Sequence, residues 1–354
     1  MKGPDSKMRK TVYIGMSGGV DSSVAALLLL MQGYKVVGVY MKNWSEDLPG
    51  MKCPWAEDLA DAKRVAVKLG IPFEVWDFEK EYREKVVEYM LNEFRAGNTP
   101  NPDIMCNQEI KFKLFYKKAM AAGADYIATG HYARKNGNKL LRAVDENKDQ
   151  TYFLYRISEE ALEHTLFPIG EMLKPDVKKL AKDNGLHNAY KKESMGVCFV
   201  GEVGMKDFLK EYIDVEPGEI REIESEKVLG YHEGAIFYTI GQRHGLYLSG
   251  VAGEVNDGLP YYVVKKDLKR NIVYVSKNLN HEAIWTRELR LKDVFIRNEI
   301  IKPVSVRLRH RAPLIPATFD GETLKFESEI KRPASGQSAV LYDDKTCLGG
   351  GIVV

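Results

Sequence analysis

With 354 residues, 44% of them hydrophobic and 29% charged, the chain is long enough for two or three domains, each with a core of its own. A net charge of +2 gives no overall basic signature, so a nucleic-acid partner has to be held by local patches. No apolar run approaches the roughly 20 residues of a membrane span, and the polar, basic start from Met1 to Lys10 has no hydrophobic stretch behind it, so the expected location is the cytoplasm without a membrane partner.

From Thr11 to about Gly130, short β-rich runs alternate with amphipathic helical ones. Strands are predicted at Val12–Gly15, Lys35–Tyr40, Pro72–Trp76 and Tyr126–Thr129, and helices near Ser23–Gln32, Glu57–Leu69, Lys80–Phe94 and Glu109–Ala122. This is the pattern of an α/β fold with a doubly wound parallel sheet, whose ligands bind beyond the carboxyl ends of the strands. A hairpin with the polar tip Asn136-Gly137-Asn138 follows, then helical patterns from Ser158 to Asn184. After Lys206 the character changes. Short strands are predicted at Gly234–Ile240, Tyr261–Val264, Ile272–Val275, Val304–Arg309, Ala317–Phe319, Leu324–Phe326, Ser338–Tyr342 and Gly350–Val354, which suggests antiparallel barrels or sandwiches. The expected division is a catalytic domain over 1–206, a small central β-rich domain over 207–278 and a C-terminal β-barrel over 279–354.

Between the first strand and first helix stands Ser17-Gly18-Gly19-Val20-Asp21-Ser22-Ser23. A glycine-rich turn there gathers backbone N–H groups at a helix N-terminus, where the dipole favours an anion such as phosphate. The commoner ATP loop needs a lysine that this loop lacks, so a different cleavage is implied. The loop resembles the SGGxDS signature of the PP-loop ATP pyrophosphatases, which split ATP between the α- and β-phosphates. That resemblance implies that the Ser17 and Ser22 hydroxyls donate to pyrophosphate and that Asp21 helps to position magnesium.

The four cysteines, Cys53, Cys106, Cys198 and Cys347, form no C-x-x-C pair, which argues against a structural zinc site. Cys106 follows Thr99-Pro100-Asn101-Pro102-Asp103, where two prolines stiffen a loop that delivers the thiol to the expected start of a helix, a setting for a reactive thiolate. Asp103 is placed to act as an acid or base. Cys198 has a lysine pair upstream, Lys191-Lys192, and flanking glycines. Cys53 and Cys347 are expected to pack.

Seven segments together resemble the tRNA-specific 2-thiouridylases, the MnmA (TrmU) family, over essentially the whole chain. They are GMSGGVDSS (15–23), NTPNPDIMCNQEIKF (98–112), ATGHYAR (128–134), KDQTYFL (148–154), GVCFVGE (196–202), YTIGQRHGL (238–246) and SGQSAVLYDDKTCLGGG (335–351). The resemblance implies that ATP, with Mg2+, adenylates the C2 oxygen of the wobble uridine, and that sulfur replaces it in tRNAs for lysine, glutamate and glutamine. It implies Cys198 as persulfide carrier, Cys106 as nucleophile, Asp103 as acid/base, and a transient disulfide between the two cysteines. ATP contacts are carried over to Gly15, Met16, Ser17, Gly18, Gly19, Val20, Asp21, Ser22, Met41 and Gly130. Contacts to the anticodon stem-loop of tRNA are carried over to Asn101, Pro102, Asp103, His131, Lys148, Asp149, Gln150, Arg309, His310 and Gln337. The implied sulfur donor is a cysteine desulfurase or a sulfur-relay protein. Glu193, Met195, His244 and Ser335 depart from the family pattern without removing a catalytic group.

Between Glu299 and Asp320 no acidic residue occurs, and Arg307, Arg309 and Arg311 alternate, so a strand there is expected to show three guanidiniums on one face to phosphates. Lys178, Lys179, Lys182, Lys191 and Lys192 form a second basic cluster, read either as a solvated face or as a tRNA or donor surface. Three alternatives stay open at this level: a PP-loop synthetase that adds nitrogen, a tRNA-binding scaffold with a vestigial loop, and an iron–sulfur cluster held by Cys106, Cys198 and Asp103.

Overall fold

A computed structural model describes residues 9–47, 53–191, 204–246, 248, 259–297, 300 and 303–354. Lys192, Glu193, Met195 and Cys198, with the rest of the Gly196–Glu202 segment, lie outside the described residues.

Strand and helix alternate from the start, through β1 (Thr11–Gly15), α1 (Val20–Met31), β2 (Lys35–Lys42), α2 (Trp55–Leu69) and β3 (Phe73–Asp77). Two composite helices follow. α3 (Glu79–Tyr82) passes through a π-helical turn at Arg83–Val87 into α4 (Glu88–Arg95), and α5 (Pro102–Met105) continues as π-helix over Cys106–Phe115 into α6 (Tyr116–Ala121). Next come β4 (Tyr126–Ala128), the hairpin β5 (Ala133–Asn136) and β6 (Lys139–Arg142), α7 (Thr151–Leu154), α8 (Glu159–Glu163), β7 (Thr165–Leu166) and α9 (Lys174–Asp183). The sheet order is β3-β2-β1-β4-β7 with every pairing parallel. Because helices cover both faces, β1 and β2 are apolar along nearly their whole length, and a separate core fills each side. The chain passes from β3 at one edge to β4 on the far side of β1, so β1 and β4 flank the switch point where such sheets bind ligands.

α10 (Met205–Tyr212) lays Phe208 and Leu209 on the first of these cores. A small four-stranded sheet comes next, β8 (Gly218–Glu222), β9 (Val228–His232), β10 (Tyr262–Asp267) and β11 (Ile272–Ser276), ordered β10-β11-β8-β9. The strand expected at Gly234–Ile240 is instead a 3-10 turn at Ala235–Phe237, where the Ala235 N–H donates to the Asn271 side chain instead of a ladder. The last six strands are β12 (Trp285–Ile296), β13 (Val304–Arg307), β14 (Ile315–Phe319), β15 (Thr323–Lys331), β16 (Ser338–Asp343) and β17 (Thr346–Val353). Their order β12-β15-β14-β13-β16-β17 closes through a β12–β17 pairing into an antiparallel barrel around Leu289, Val306, Leu324 and Leu341. The hairpin extends this sheet, with Leu140 and Leu141 opposite Cys347 and Thr346.

The expected row of three outward guanidiniums does not form. β13 ends at Arg307, whose side chain turns inward, and Arg311 lies in a turn with φ of 63°. Arg307 Nη1 donates to Asp149 Oδ2 at 2.8 Å, both side chains being enclosed. The same carboxylate accepts from Ala143 N (3.2 Å), Thr151 N (3.3 Å) and Thr151 Oγ1 (2.9 Å). Asp149 therefore ties the hairpin, α7 and the barrel together. Replacing it by Asn leaves the Arg307 charge buried without its counter-ion, so Asp149→Asn is expected to lower unfolding stability by about 3–5 kcal/mol. Denaturant melts of the full chain would check this, and unchanged stability would count against the pair as the tie.

Candidate active site

The glycine loop leaves β1 at the switch point. Gly19 is the N-cap of α1 with no side-chain cap, so neither Ser22 nor Ser23 caps the helix. Both hydroxyls turn back to Gly19 O (3.1 and 2.9 Å), and Ser22 Oγ accepts from Ser17 N at 3.3 Å, which folds the loop onto the helix start. Gly18 has φ of 76°, and a Cβ there would stand 2.4 Å from the Asp58 carbonyl oxygen. Asn188 clamps the loop from outside, donating Nδ2 to Gly18 O and Ser23 Oγ, both at 2.8 Å. Met16 and Val20 are buried, so they offer the loop's ligand backbone groups only. Met41, at the carboxyl end of β2, lies against Gly15, as a residue covering an adenine over this rim would.

A lysine does reach this loop, from far along the chain. Lys174, the first residue of α9, is buried and places Nζ 2.7 and 2.8 Å from the two oxygens of Asp21. Tyr132 Oη donates to Asp21 Oδ1 at 3.0 Å. A magnesium ion at Asp21 would share that carboxylate with Lys174, whose ammonium is a fixed positive charge beside the start of α1. Asn188 and Lys174 carry no local signal in the sequence, since each arrives from more than 150 positions away.

Gly130 follows β4 and abuts the start of α1, where a Cβ would meet Ser22 N at 2.5 Å. His131 is enclosed next to it, with Nδ1 2.8 Å from Thr129 Oγ1 and its ring 5.8 Å from that of Phe112. Burial, reinforced by Lys111, keeps the imidazole neutral, well below its usual range. Burial likewise raises Asp103 above the usual carboxylate range, with Lys111 pulling it back. Lys111 thus faces two of the predicted site residues, although the sequence did not single it out.

Asn101 is the N-cap of α5, its Oδ1 accepting from Asp103 N (3.1 Å) and Ile104 N (3.3 Å), with Pro102 in the first turn. The helix therefore begins four residues before Cys106, and the thiol sits in the second turn rather than at the helix start, beyond the strongest reach of the dipole. Cys106 is buried where the α-helix becomes π-helix. Cys53 and Cys347 are also buried, which raises both thiols, Cys347 to about 12.

The loop before Asp103 is built by all three domains. Thr99 N donates to Ser335 O (2.8 Å) and Gln337 Nε2 to Thr99 O (2.6 Å) from the barrel. Lys266 Nζ donates to Gly97 O (2.7 Å), and Thr239 Oγ1 lies 3.4 Å from Thr99 Oγ1, both from the central domain. Among the other residues expected at tRNA, the Asp149 carboxylate is consumed internally and Gln150 Oε1 accepts from Tyr132 N at 2.9 Å. His310 packs against Phe153 with centroids 4.6 Å apart and the rings tilted by 44°, and burial together with its cationic neighbours Arg311, Arg307 and Lys148 lowers its pKa to about 4. Arg309 is exposed on the same turn. In the second basic cluster, Lys191 is engaged by Asp58 (2.8 Å) and Asp61 (2.5 Å), and Lys179 by Asp183 (2.6 Å).

Comparison with known proteins gives three consecutive family matches: a tRNA methyl transferase HUP domain over residues 10–202, a tRNA methyl transferase PRC-barrel domain over 206–277, and an aminomethyltransferase beta-barrel domain over 286–353. The chain is 46% identical to the tRNA-specific 2-thiouridylase MnmA of Idiomarina loihiensis, covering 98% of this chain and 97% of that protein. Identity is 46% to the protein of that name from Listeria monocytogenes EGD-e and 44% to that from Bacillus subtilis, each covering 97% of this chain and 94% of the relative.

Two outcomes follow from this geometry. Gly130→Ala forces the end of β4 away from the start of α1, and is expected to cost about 1–3 kcal/mol of stability and to weaken ATP binding in a nucleotide titration, whereas Gly137→Ala, with open space around it, leaves ATP binding unchanged. Burial pushes Lys266 down to about 8. Because the folded value lies below the unfolded one, the cost of burying its charge is present below about pH 8 and relieved as pH rises towards the unfolded value. Unfolding stability of the unaltered chain relative to Lys266→Met is therefore expected to climb between pH 7 and 10, and a flat difference would show that the buried lysine does not titrate there.

Proposed function

The chain belongs to the tRNA-specific 2-thiouridylase family, and from that premise we propose that it replaces the C2 oxygen of the wobble uridine of tRNA with sulfur, at the expense of ATP. The observation that supports this reading is the meeting of the glycine loop and the Gly130-His131 corner at the sheet switch point, with Phe112, on the helical segment that continues from Asp103 and Cys106, against the His131 ring.

The carbonyl oxygen of uridine is a poor leaving group, and transfer of AMP to it makes it a good one. The glycine loop, with the helix N-terminus and the Ser17 and Ser22 hydroxyls, suits the β- and γ-phosphates of ATP. Lys174, paired with Asp21, supplies the positive charge that opposes the growing charge on departing pyrophosphate. Met41 and Gly15 border the adenine, and Gly130 allows the α-phosphate to lie close to β4. Magnesium enters with the ATP. Asp103, with its pKa raised by burial, is suited to take the N3 proton as the C2 oxygen attacks the α-phosphorus and to return it later. Neutral His131 offers an uncharged ring to the flipped base.

Sulfur then arrives as a persulfide on Cys198, delivered by a cysteine desulfurase or relay protein. Its terminal sulfur attacks C2 and expels AMP. The Cys106 thiolate attacks Cys198 Sγ, which breaks the bond to the transferred sulfur, leaves the thiocarbonyl on the base and joins the two cysteines as a disulfide. Two electrons pass from the cysteine pair to the transferred sulfur, so a thiol reductant is needed for the next turnover. The tRNAs for lysine, glutamate and glutamine are the proposed substrates.

Nucleoside mass spectrometry of tRNA incubated with the protein, ATP, magnesium and a persulfide donor is expected to show 2-thiouridine. Cys106→Ser is expected to lower its formation at least 100-fold while ATP-dependent pyrophosphate release persists. Undiminished thiolation in that variant would favour a nitrogen-adding synthetase, and the absence of tRNA-dependent pyrophosphate release in the unaltered chain would favour a scaffold.

A further inference from the structure

A polar cavity of about 340 Å³ opens between the hairpin, the loop after β6 and the turn after β13, away from the nucleotide loop. Arg142, Glu146, Asn147, Arg307 and Arg311 line it, with Ala312 to Leu314 closing one side. The guanidiniums outnumber the carboxylates they face. Arg142 Nε is 3.6 Å from Asp149 Oδ2 and its Nη2 is 3.4 Å from Glu146 Oε1, while Arg307 Nη1 already occupies the nearer place on Asp149. Neither Arg142 Nε nor Arg307 Nε has a hydrogen-bond acceptor among the described residues, although both atoms are buried. Two incompletely bonded guanidiniums thus stand behind the cavity wall, and their positive charge, like that of Arg311, favours an anion within it.

Arg311 gives the cavity its exposed wall. It sits in a turn closed by Ala312 N donating to Arg309 O at 3.0 Å, and its φ of 63° is a conformation that a side-chain-bearing residue adopts at a cost. Strain of this kind persists where a side chain has to be aimed. Among the described residues no aromatic ring lines the cavity, so it is suited to charge rather than to a base.

We propose that this cavity is a phosphate pocket that seats one phosphodiester of the RNA substrate between Arg142, Arg307 and Arg311. The proposal rests on the reading that tRNA is the substrate. It assigns the pocket a positioning contact, independent of sequence, that sets the register of the RNA on the barrel while chemistry proceeds elsewhere. Forked guanidiniums match phosphate better than lysines would.

The test uses the full chain, an anticodon stem-loop RNA with an unmodified wobble uridine, and the variants Arg311→Gly and Arg142→Gln. Glycine at 311 accepts the positive φ without strain, so Arg311→Gly should keep or raise thermal stability, separating binding from folding. Each variant is expected to bind the RNA roughly tenfold more weakly and to flatten the plot of log affinity against log salt by about one charge. The KM for tRNA should rise with the KM for ATP unchanged, and Arg311→Lys should restore the salt slope. If the unaltered chain binds the RNA and both variants match it in affinity and slope, the pocket assignment is overturned while the proposed function stands. If the unaltered chain fails to bind the RNA, both fall. If millimolar inorganic phosphate stabilises the unaltered chain but not Arg311→Gly while RNA affinity is the same in both, the pocket takes a free anion and the RNA assignment is wrong.

Discussion

The buried carboxylate of Asp149 is the constraint on which the arrangement of the molecule depends. It lies where the hairpin, the short helix α7 and the barrel strand β13 meet, and it meets the Arg307 guanidinium with both partners enclosed. A buried pair of this kind adds little net stability over an apolar replacement, but removing one member is severe, so it fixes one docking geometry against all others. The hairpin is already the seventh and eighth strand of the barrel sheet, and the ion pair sets the register in which it joins. The next residue, Gln150, is bonded in both directions to the backbone of Tyr132, whose hydroxyl reaches Asp21 in the nucleotide loop. A single dipeptide therefore references both the barrel and the ATP loop.

The later domains do more than offer surface. Gly97 to Asn101, which lead into the helix of Asp103 and Cys106, have their backbone groups bonded by Lys266 from the central domain and by Ser335 and Gln337 from the barrel. Two prolines limit the conformations of this loop, and these bonds select among those that remain. The helix of Asp103 and Cys106 is thus positioned by hydrogen bonds from both later domains, so its geometry depends on their having folded.

The parallel sheet was legible because strands covered on both faces read as continuous apolar runs, and β1 to β4 fall within a few residues of their expected positions. The barrel was read only in pieces. β12, its longest strand, was missed because Arg287, Glu288, Arg290, Lys292 and Asp293 interrupt its apolar residues, and β8 was missed because Ile220 is its one fully buried side chain. Strands with one solvated face dilute the signal that the first sheet shows. The glycine loop was legible because its chemistry is local. Lys174, Asn188 and Lys111 were not, because folding brings them to the site from distant segments or from the far face of a helix that looked ordinary. The alternating arginines misled for a related reason: the pattern presumed a strand running past Arg307 and did not include the acid at Asp149, 158 positions away.

These contacts share one segment. Asp145 turns the chain after the hairpin, with Oδ1 accepting from Asn147 N and Lys148 N and Oδ2 accepting from Lys174 N at 2.9 Å, the residue whose Nζ holds Asp21. Residues 145–150 are thus pinned at one end to the lysine that holds Asp21 and at the other to the arginine of the barrel, with Glu146 and Asn147 lining the arginine-rich cavity between them. The segment therefore joins the acid–lysine pair beside the glycine loop to the acid–arginine pair of the barrel, so that a displacement at one end is opposed by hydrogen bonds at the other.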